Sequence, residues 1–169
     1  MTGRNLLAAV ALLMVATACN DDVVRPKLEA WVGAEPGELS GIGTIQVGTP
    51  DQTTFAYDVK SDASGVHGVF TASDVAGESL TTDPTVNPAN SFTAFRASSG
   101  FCSLSSHGAE FDATGVLVES GVVVDPAVPY TVKACDNGSA VAGMDTWRIE
   151  IPSRNFSRDG IVTGDIMKQ

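Results

Sequence analysis

Positive charge is scarce in this chain. Ten Lys and Arg stand against twenty Asp and Glu in 169 residues, a formal net charge of −10 at pH 7. No basic cluster occurs, which argues against nucleic acid and anionic headgroups as partners, since both are recognised by grouped Lys and Arg. The acidity reads as solubility and freedom from non-specific association. Reactive side chains are sparse too. There are two histidines, His67 and His107, and neither has a second ligand at i, i+2 or i+4. A zinc site needs three or four converging ligands, so both read as solvated. No G-x-S-x-G elbow and no nucleophile–base arrangement is visible; no catalytic residue is assigned, no enzyme is expected and no cofactor is expected. Helical periodicity is also missing, because no long segment after residue 18 repeats apolar residues at i, i+3, i+4 and i+7.

Long apolar runs are equally scarce, apart from Leu6–Ala18 (LLAAVALLMVATA) behind Arg4. Thirteen residues at 1.5 Å rise span about 20 Å as a helix, short of the roughly 30 Å hydrocarbon core. A cleaved signal peptide over residues 1–18 is the expectation. Its removal takes away Arg4 alone and leaves a net charge of −11. Ala16-Thr17-Ala18 followed by Cys19 resembles a bacterial lipobox, although Ala16 stands where Leu is commonest. The same Ala-Thr-Ala satisfies the general signal peptidase. The cysteine immediately after the cleavage site, followed by Asn20-Asp21-Asp22, favours lipidation of Cys19. The resemblance implies a chain tied to the bacterial cell envelope through its N-terminal lipid. Ordinary secretion is the alternative.

What remains is a turn-rich β composition, with seventeen Gly, eight Pro and abundant Thr, Ser, Val and Ala. Residues 19–39 read as lipidated cysteine and tether, with Trp31 free to cover an edge, and residues 40–169 as a single β domain. Period-2 alternation marks "TTFAYDVK" (53–60), "VHGVFTAS" (66–73), "AEFDATGVLV" (109–118), "PYTVKAC" (129–135) and "TWRIEI" (146–151). "SGIGTIQV" (40–47), "SFTAFRA" (91–97), "FCSLS" (101–105) and "GIVTGDIM" (160–167) complete about nine strands. The expectation is an all-β, mostly antiparallel β-sandwich or barrel-like meander, with a long polar connection at residues 74–90. Tyr57, Tyr130 and Trp147 lie on the apolar parity of their strands and belong to the core.

In order, "FAYDVK", "GVHGVFTASD", "AEFDATG", "PYTVKACDNG", "MDTWRIEI" and "GIVTGDIM" resemble a β module of secreted bacterial proteins, the post-COAP type of domain. The resemblance covers about residues 52–168, with Trp147 in place of the usual Phe and Cys135 in place of Thr. It implies a β fold and carries over no activity and no site residue.

Three further features bear on function. Cys102 and Cys135 invite a disulfide in an oxidising compartment. If 101–105, 109–118 and 129–135 form a meander, however, two strand spacings of roughly 9.5 Å separate them, beyond the 7 Å Cα limit. Cys102 also shares the core parity of Leu104, while Cys135 alternates outward. The pairing stays open. Asp136, Asn137 and Asp145 offer oxygen ligands of the kind Ca²⁺ prefers, without EF-hand spacing; a polar hairpin loop is the plainer reading. The 74–90 stretch and "PSRNFSRD" (152–159), with Arg154 and Arg158, are where loops are placed to build a binding surface. The functional expectation is a structural, envelope-associated or binding role. Calcium-dependent adhesion or carbohydrate binding, and a secreted hydrolase, are the alternatives.

Overall fold

Alternating burial along Thr53–Asp62, with Thr53, Phe55, Tyr57, Val59 and Ser61 inside and their neighbours outside, sets the first interior face of the domain. The computed structural model describes residues 35–138 and 144–169. These form ten strands, β1 (Gly37–Ile45), β2 (Thr53–Asp62), β3 (Gly65–Asp74), β4 (Glu78–Thr82), β5 (Phe92–Arg96), β6 (Gly108–Glu119), β7 (Val122–Cys135), β8 (Thr146–Ile151), β9 (Phe156–Ile161) and β10 (Thr163–Lys168). All pairings are antiparallel, in the order β10-β1-β2-β3-β4-β6-β7-β8-β9, with β5 also on β6. The sheet is nearly closed into a barrel, which decides between the sandwich and barrel expected from sequence.

Two irregular strands allow the closure. Against β6, β4 takes up positions 116–119 and β5 positions 110–113, so the two lie end to end as one interrupted strand. β9 and β10 are one bent ribbon. Its first half pairs with β8 and its second half with β1, and buried Val162 marks the change of partner. Where the ribbon leaves one neighbour for the other, backbone ladder bonds run out. Side chains take their place. Gln46 Nε2 donates to Asp159 O (2.8 Å) at one end of the seam.

Carboxylates serve the other end. Asp145 Oδ2 accepts from the buried Ile166 N–H (3.0 Å), its Oδ1 from Asn137 N–H (2.9 Å), and its backbone O from Val162 N–H (2.8 Å). Asp136 Oδ2 accepts from Lys168 N–H (3.1 Å), and Asn137 Nδ2 donates to Met144 O (2.7 Å). An unpartnered strand edge is costly when buried and a template for mispairing when exposed. These side chains remove it. Asp136, Asn137 and Asp145, expected at most as calcium ligands, are therefore engaged in closing the barrel.

Aromatic rings fill the interior, as an eight-position barrel requires. Phe55 stacks on Trp147 at 4.4 Å between centroids, Phe70 lies 4.9 Å from Tyr130, and Phe92 meets Phe111 edge-on at 5.6 Å. Tyr57, Tyr130 and Trp147 are all in this core. Burial drives the Tyr130 pKa far above its usual value, against a hydrogen bond to Thr82 Oγ1. Burial does the same at Tyr57, reinforced by the charges of Asp145 and Asp136. Both phenols stay protonated.

Several expectations are corrected. Ten strands form among the described residues, close to the nine or so expected. The tether does not extend to residue 39: β1 begins at Gly37, Leu39 is fully buried, and Glu35 N–H already donates to Phe95 O. β4 lies inside the stretch read as a connection, because only Leu80 and Thr82 of "ESLTT" face inward. "FCSLS" is not a strand. It belongs to a loop folded on itself, with Ser99 N–H donating to Ser105 O and Cys102 N–H to Ser99 O, and it leaves Leu104 exposed.

That loop also overturns the geometric argument against the disulfide. Cys102 and Cys135 are bonded, with Cα atoms 5.6 Å apart. Cys135 does lie opposite Gly108 on the outward parity of β6 and β7, but the loop crosses that face and brings Cys102 onto it. Gly108 makes the approach possible, since a Cβ there would stand 2.2 Å from Cys102 Sγ. The bridge joins positions 33 residues apart, worth about 4 kcal/mol by loop-closure entropy.

Asp145→Ala should lower stability by about 3 kcal/mol, because two backbone amides, one of them buried, lose a charged acceptor. For a domain of this size that is a Tm lower by about 6–12 °C. Thermal melts in EDTA and in Ca²⁺ check it. The same loss is expected in both, whereas a wild-type Tm that rises with Ca²⁺ would return these oxygens to metal binding.

Candidate functional site

The aromatic column does not reach one end of the barrel. There the inward positions carry Ala72, Leu80, Leu117, Ile149 and Ile151, and with half-buried Phe156 they leave a hollow of about 170 Å³. Aliphatic ends on β3, β4, β6 and β8 form its floor. Its rim is polar: Thr53, Ser73, Asp74, Glu78, Ser79, Glu119 and Arg154. An apolar hollow with a few polar groups at its lip is the usual form of a small-molecule site, and a barrel mouth is a usual place for one.

Each rim group is held by local structure. The β3–β4 turn is built on Asp74, whose Oδ1 accepts from Ala76 N–H and Glu78 N–H (both 2.9 Å), and Gly77 supplies the positive φ of 89° that the turn needs. Asp74 Oδ2 lies 3.4 Å from Arg158 Nη2, and Arg158 Nη1 donates to Asp51 Oδ1 at 2.6 Å. The guanidinium also covers the Phe156 ring at 5.3 Å. Across the mouth, Arg154 on the β8–β9 connection pairs with Glu119. Both arginines are thus in use.

Glu78 is not paired. It stands directly opposite Glu119 in the β4–β6 register, and its carboxylate has no ion-pair partner among the described residues. Partial burial raises its pKa above the usual carboxylate value, and Asp74 and Glu119 push the same way. Arg158 and Arg154 offset this only in part.

Other sequence candidates lie elsewhere. Cys19 and Trp31 are outside the described residues, as are residues 139–143 of the "DNGSAVAGMD" loop. Asp136, Asn137, Asp145 and the disulfide belong to the opposite end of the barrel. His67 is on the outer face of β3, 3.9 Å from Asp62, and His107 is exposed on a short 3-10 turn. No group of three His, Cys, Asp or Glu side chains is poised to hold a metal among the described residues. The two stretches singled out as places for a binding surface do meet: Asp74 and Glu78 come from one, Arg154, Phe156 and Arg158 from the other. Leu117 and Glu119 escaped notice because they read as an ordinary strand end. Their only signal is that the strand stays apolar as far as an acidic turn.

A wider hollow of about 610 Å³ crosses the outer face of β10, β1, β2, β3 and β4, past Ile42, Ala56, Val69 and Met167. Its charged residues, Asp58, Asp83 and Asp165, all carry one sign, and no basic residue is set among them. Comparison with family models, curated proteins and solved structures gives no match. The geometry of the mouth has to carry the functional reading unaided.

Glu78 gives a prediction whose sign follows from its environment. A carboxyl whose pKa is raised on folding costs stability when ionised, and the cost fades as pH falls below its unfolded value. Glu78→Gln should raise Tm at pH 7 by about 1 °C, the scale of a relieved cross-strand like-charge pair. The gain should vanish near pH 4. Paired melts at the two pH values measure it.

Proposed function

We propose that this chain is an exported, lipid-anchored β-barrel module of the bacterial envelope, which binds a small and largely apolar ligand in the open end of its barrel. The mouth carries the binding half of this reading: five buried aliphatic side chains, a hollow of about 170 Å³ and a rim whose charges are fixed by turns. Stacked and edge-on rings occupy the middle of the core, and an aliphatic end left open is a departure from close packing and not its ordinary outcome.

The anchoring half rests on Leu6–Ala18 and on Ala16-Thr17-Ala18 before Cys19. Two or three acyl chains on Cys19 would hold the protein stably, where one is marginal. The disulfide supports the same compartment, since such bonds persist where the surroundings are oxidising. The chain enters the barrel at Gly37, which pairs with Ser61, while the mouth lies at the other end of that pair of strands, beside Thr53. Binding site and point of entry are therefore at opposite poles of the domain. The order of motifs that resembles a post-COAP type of domain fits an exported module and brings no activity with it.

Metabolic labelling with a clickable fatty acid tests the anchor. Label and membrane association should be lost together in Cys19→Ala, and an unlabelled, soluble wild type would refute lipidation. For the mouth, the full chain bearing Cys19→Ala is prepared without detergent and titrated with the neutral dye N-phenyl-1-naphthylamine. Fluorescence enhancement is expected, weakened about tenfold by Leu117→Trp, which fills the hollow, with the variant's melt confirming that it folds. Equal binding by the filled variant would place the dye elsewhere and sink the mouth as the site.

A further inference from the structure

The charges at the mouth say which class of apolar ligand fits. This step rests on the mouth being a binding site and asks what its occupant carries. The two guanidiniums near the hollow are committed, Arg154 to Glu119 and Arg158 to Asp74 and Asp51. Three carboxylates, Asp74, Glu78 and Glu119, against one guanidinium, Arg154, leave the rim with a net charge of −2, and Arg158 behind it is shared between Asp74 and Asp51. The uncompensated carboxylate is Glu78, which faces Glu119 across the sheet and lines the hollow above Leu80 and Leu117. From Glu78 and the floor beneath it we infer that the barrel mouth takes a cationic amphiphile: a primary ammonium on the Glu78 carboxylate, with an aliphatic body against Leu80, Leu117, Ile149 and Ile151.

The alternatives fit less well. An anionic amphiphile would add to the excess negative charge and meet no free guanidinium. A neutral one would cover Glu78 and deepen its desolvation without supplying a partner, at a cost in affinity. A bare divalent cation needs several converging oxygens, and no group of three such side chains comes together among the described residues. A quaternary ammonium is best held by open aromatic faces, but the one ring at the lip, Phe156, is already covered by Arg158. A primary ammonium asks only for an acceptor. The raised pKa of Glu78 accords with a carboxylate that lacks its cation.

The test uses the full chain bearing Cys19→Ala, with bound N-phenyl-1-naphthylamine displaced at pH 7 by octylammonium, 1-octanol or octanoate. The three share one tail and differ in head charge. Octylammonium should compete about fivefold better than octanol, and octanoate worse than either. The ammonium preference should shrink as salt is raised. In Glu78→Gln the ammonium-to-octanol ratio should fall to about one. Equal competition by all three in the wild type, or an ammonium preference that survives Glu78→Gln, would overturn the cationic assignment and leave the mouth as a neutral apolar site. Failure of dye and all three compounds to bind would instead remove the mouth reading itself, and this assignment with it.

Discussion

The carboxylate of Asp145 is the point on which this barrel turns. A sheet that closes on itself must bring its first and last strands together, and β10 has only six residues for that task. While β10 pairs with β1, its other edge has no strand within ladder distance. Asp145 stands in for that strand: one oxygen takes Ile166 N–H, the other holds the Asn137 backbone, and its own carbonyl takes Val162 N–H just where the ribbon changes partner. Three bonds from one residue fix the position of the bend, and with it the pairing of β9 with β8 and of β10 with β1. Asp136 repeats the device two residues further along, at Lys168.

Closure leaves an interior with two kinds of filling. Rings pack its middle, and two of their polar atoms, the Tyr57 hydroxyl and Trp147 Nε1, find no partner among the described residues. Aliphatic groups occupy one pole and stop short of filling it. The exterior divides likewise. Arg96, Glu110, Asp112, Lys133, Arg148, Glu150 and Asp159 form a run of alternating charges across β5 to β9, where burial of Asp112 is outweighed by Arg96, Thr131 and Lys133, which hold its pKa low. The face from β10 to β4 has no such ladder. At the mouth the pairing rule breaks once, at Glu78, and the functional reading grows from that exception.

Much of the fold was legible in the chain because period-2 burial is a local signal. "TWRIEI" and "PYTVKAC" announce both their strands and their inward residues. The failures are those of non-local geometry. "ESLTT" has one apolar residue, and it becomes a strand because β3 and β6 lie on either side of it. "GIVTGDIM" looks like a single strand, since nothing in its alternation reveals that Val162 separates two partners. The outward parity of Cys135 was read correctly, yet a covering loop turned that outward face into a buried one. Asp136 and Asp145 have the composition of a cation loop, and only the seam shows that their partners are backbone amides. For the mouth, residues 74–78 and 152–158 were visible as loops, but the contribution of Leu117 and Glu119 depends on a strand register that no local pattern encodes.

The bent ribbon has a consequence for how the domain comes into being. Among the described residues β1 is the first strand of the barrel and β10 the last; β1 has only β2 beside it until β10 is in place, and β10 has β1 as its one strand partner. Every residue between them must be present before the cylinder can shut, so the loop to be closed spans almost the whole domain. Such long-range pairing makes folding slow and late. Without β10, the edge of β1 lacks its second neighbour. A barrel wired this way is complete only when its last described strand has joined its first, and not before.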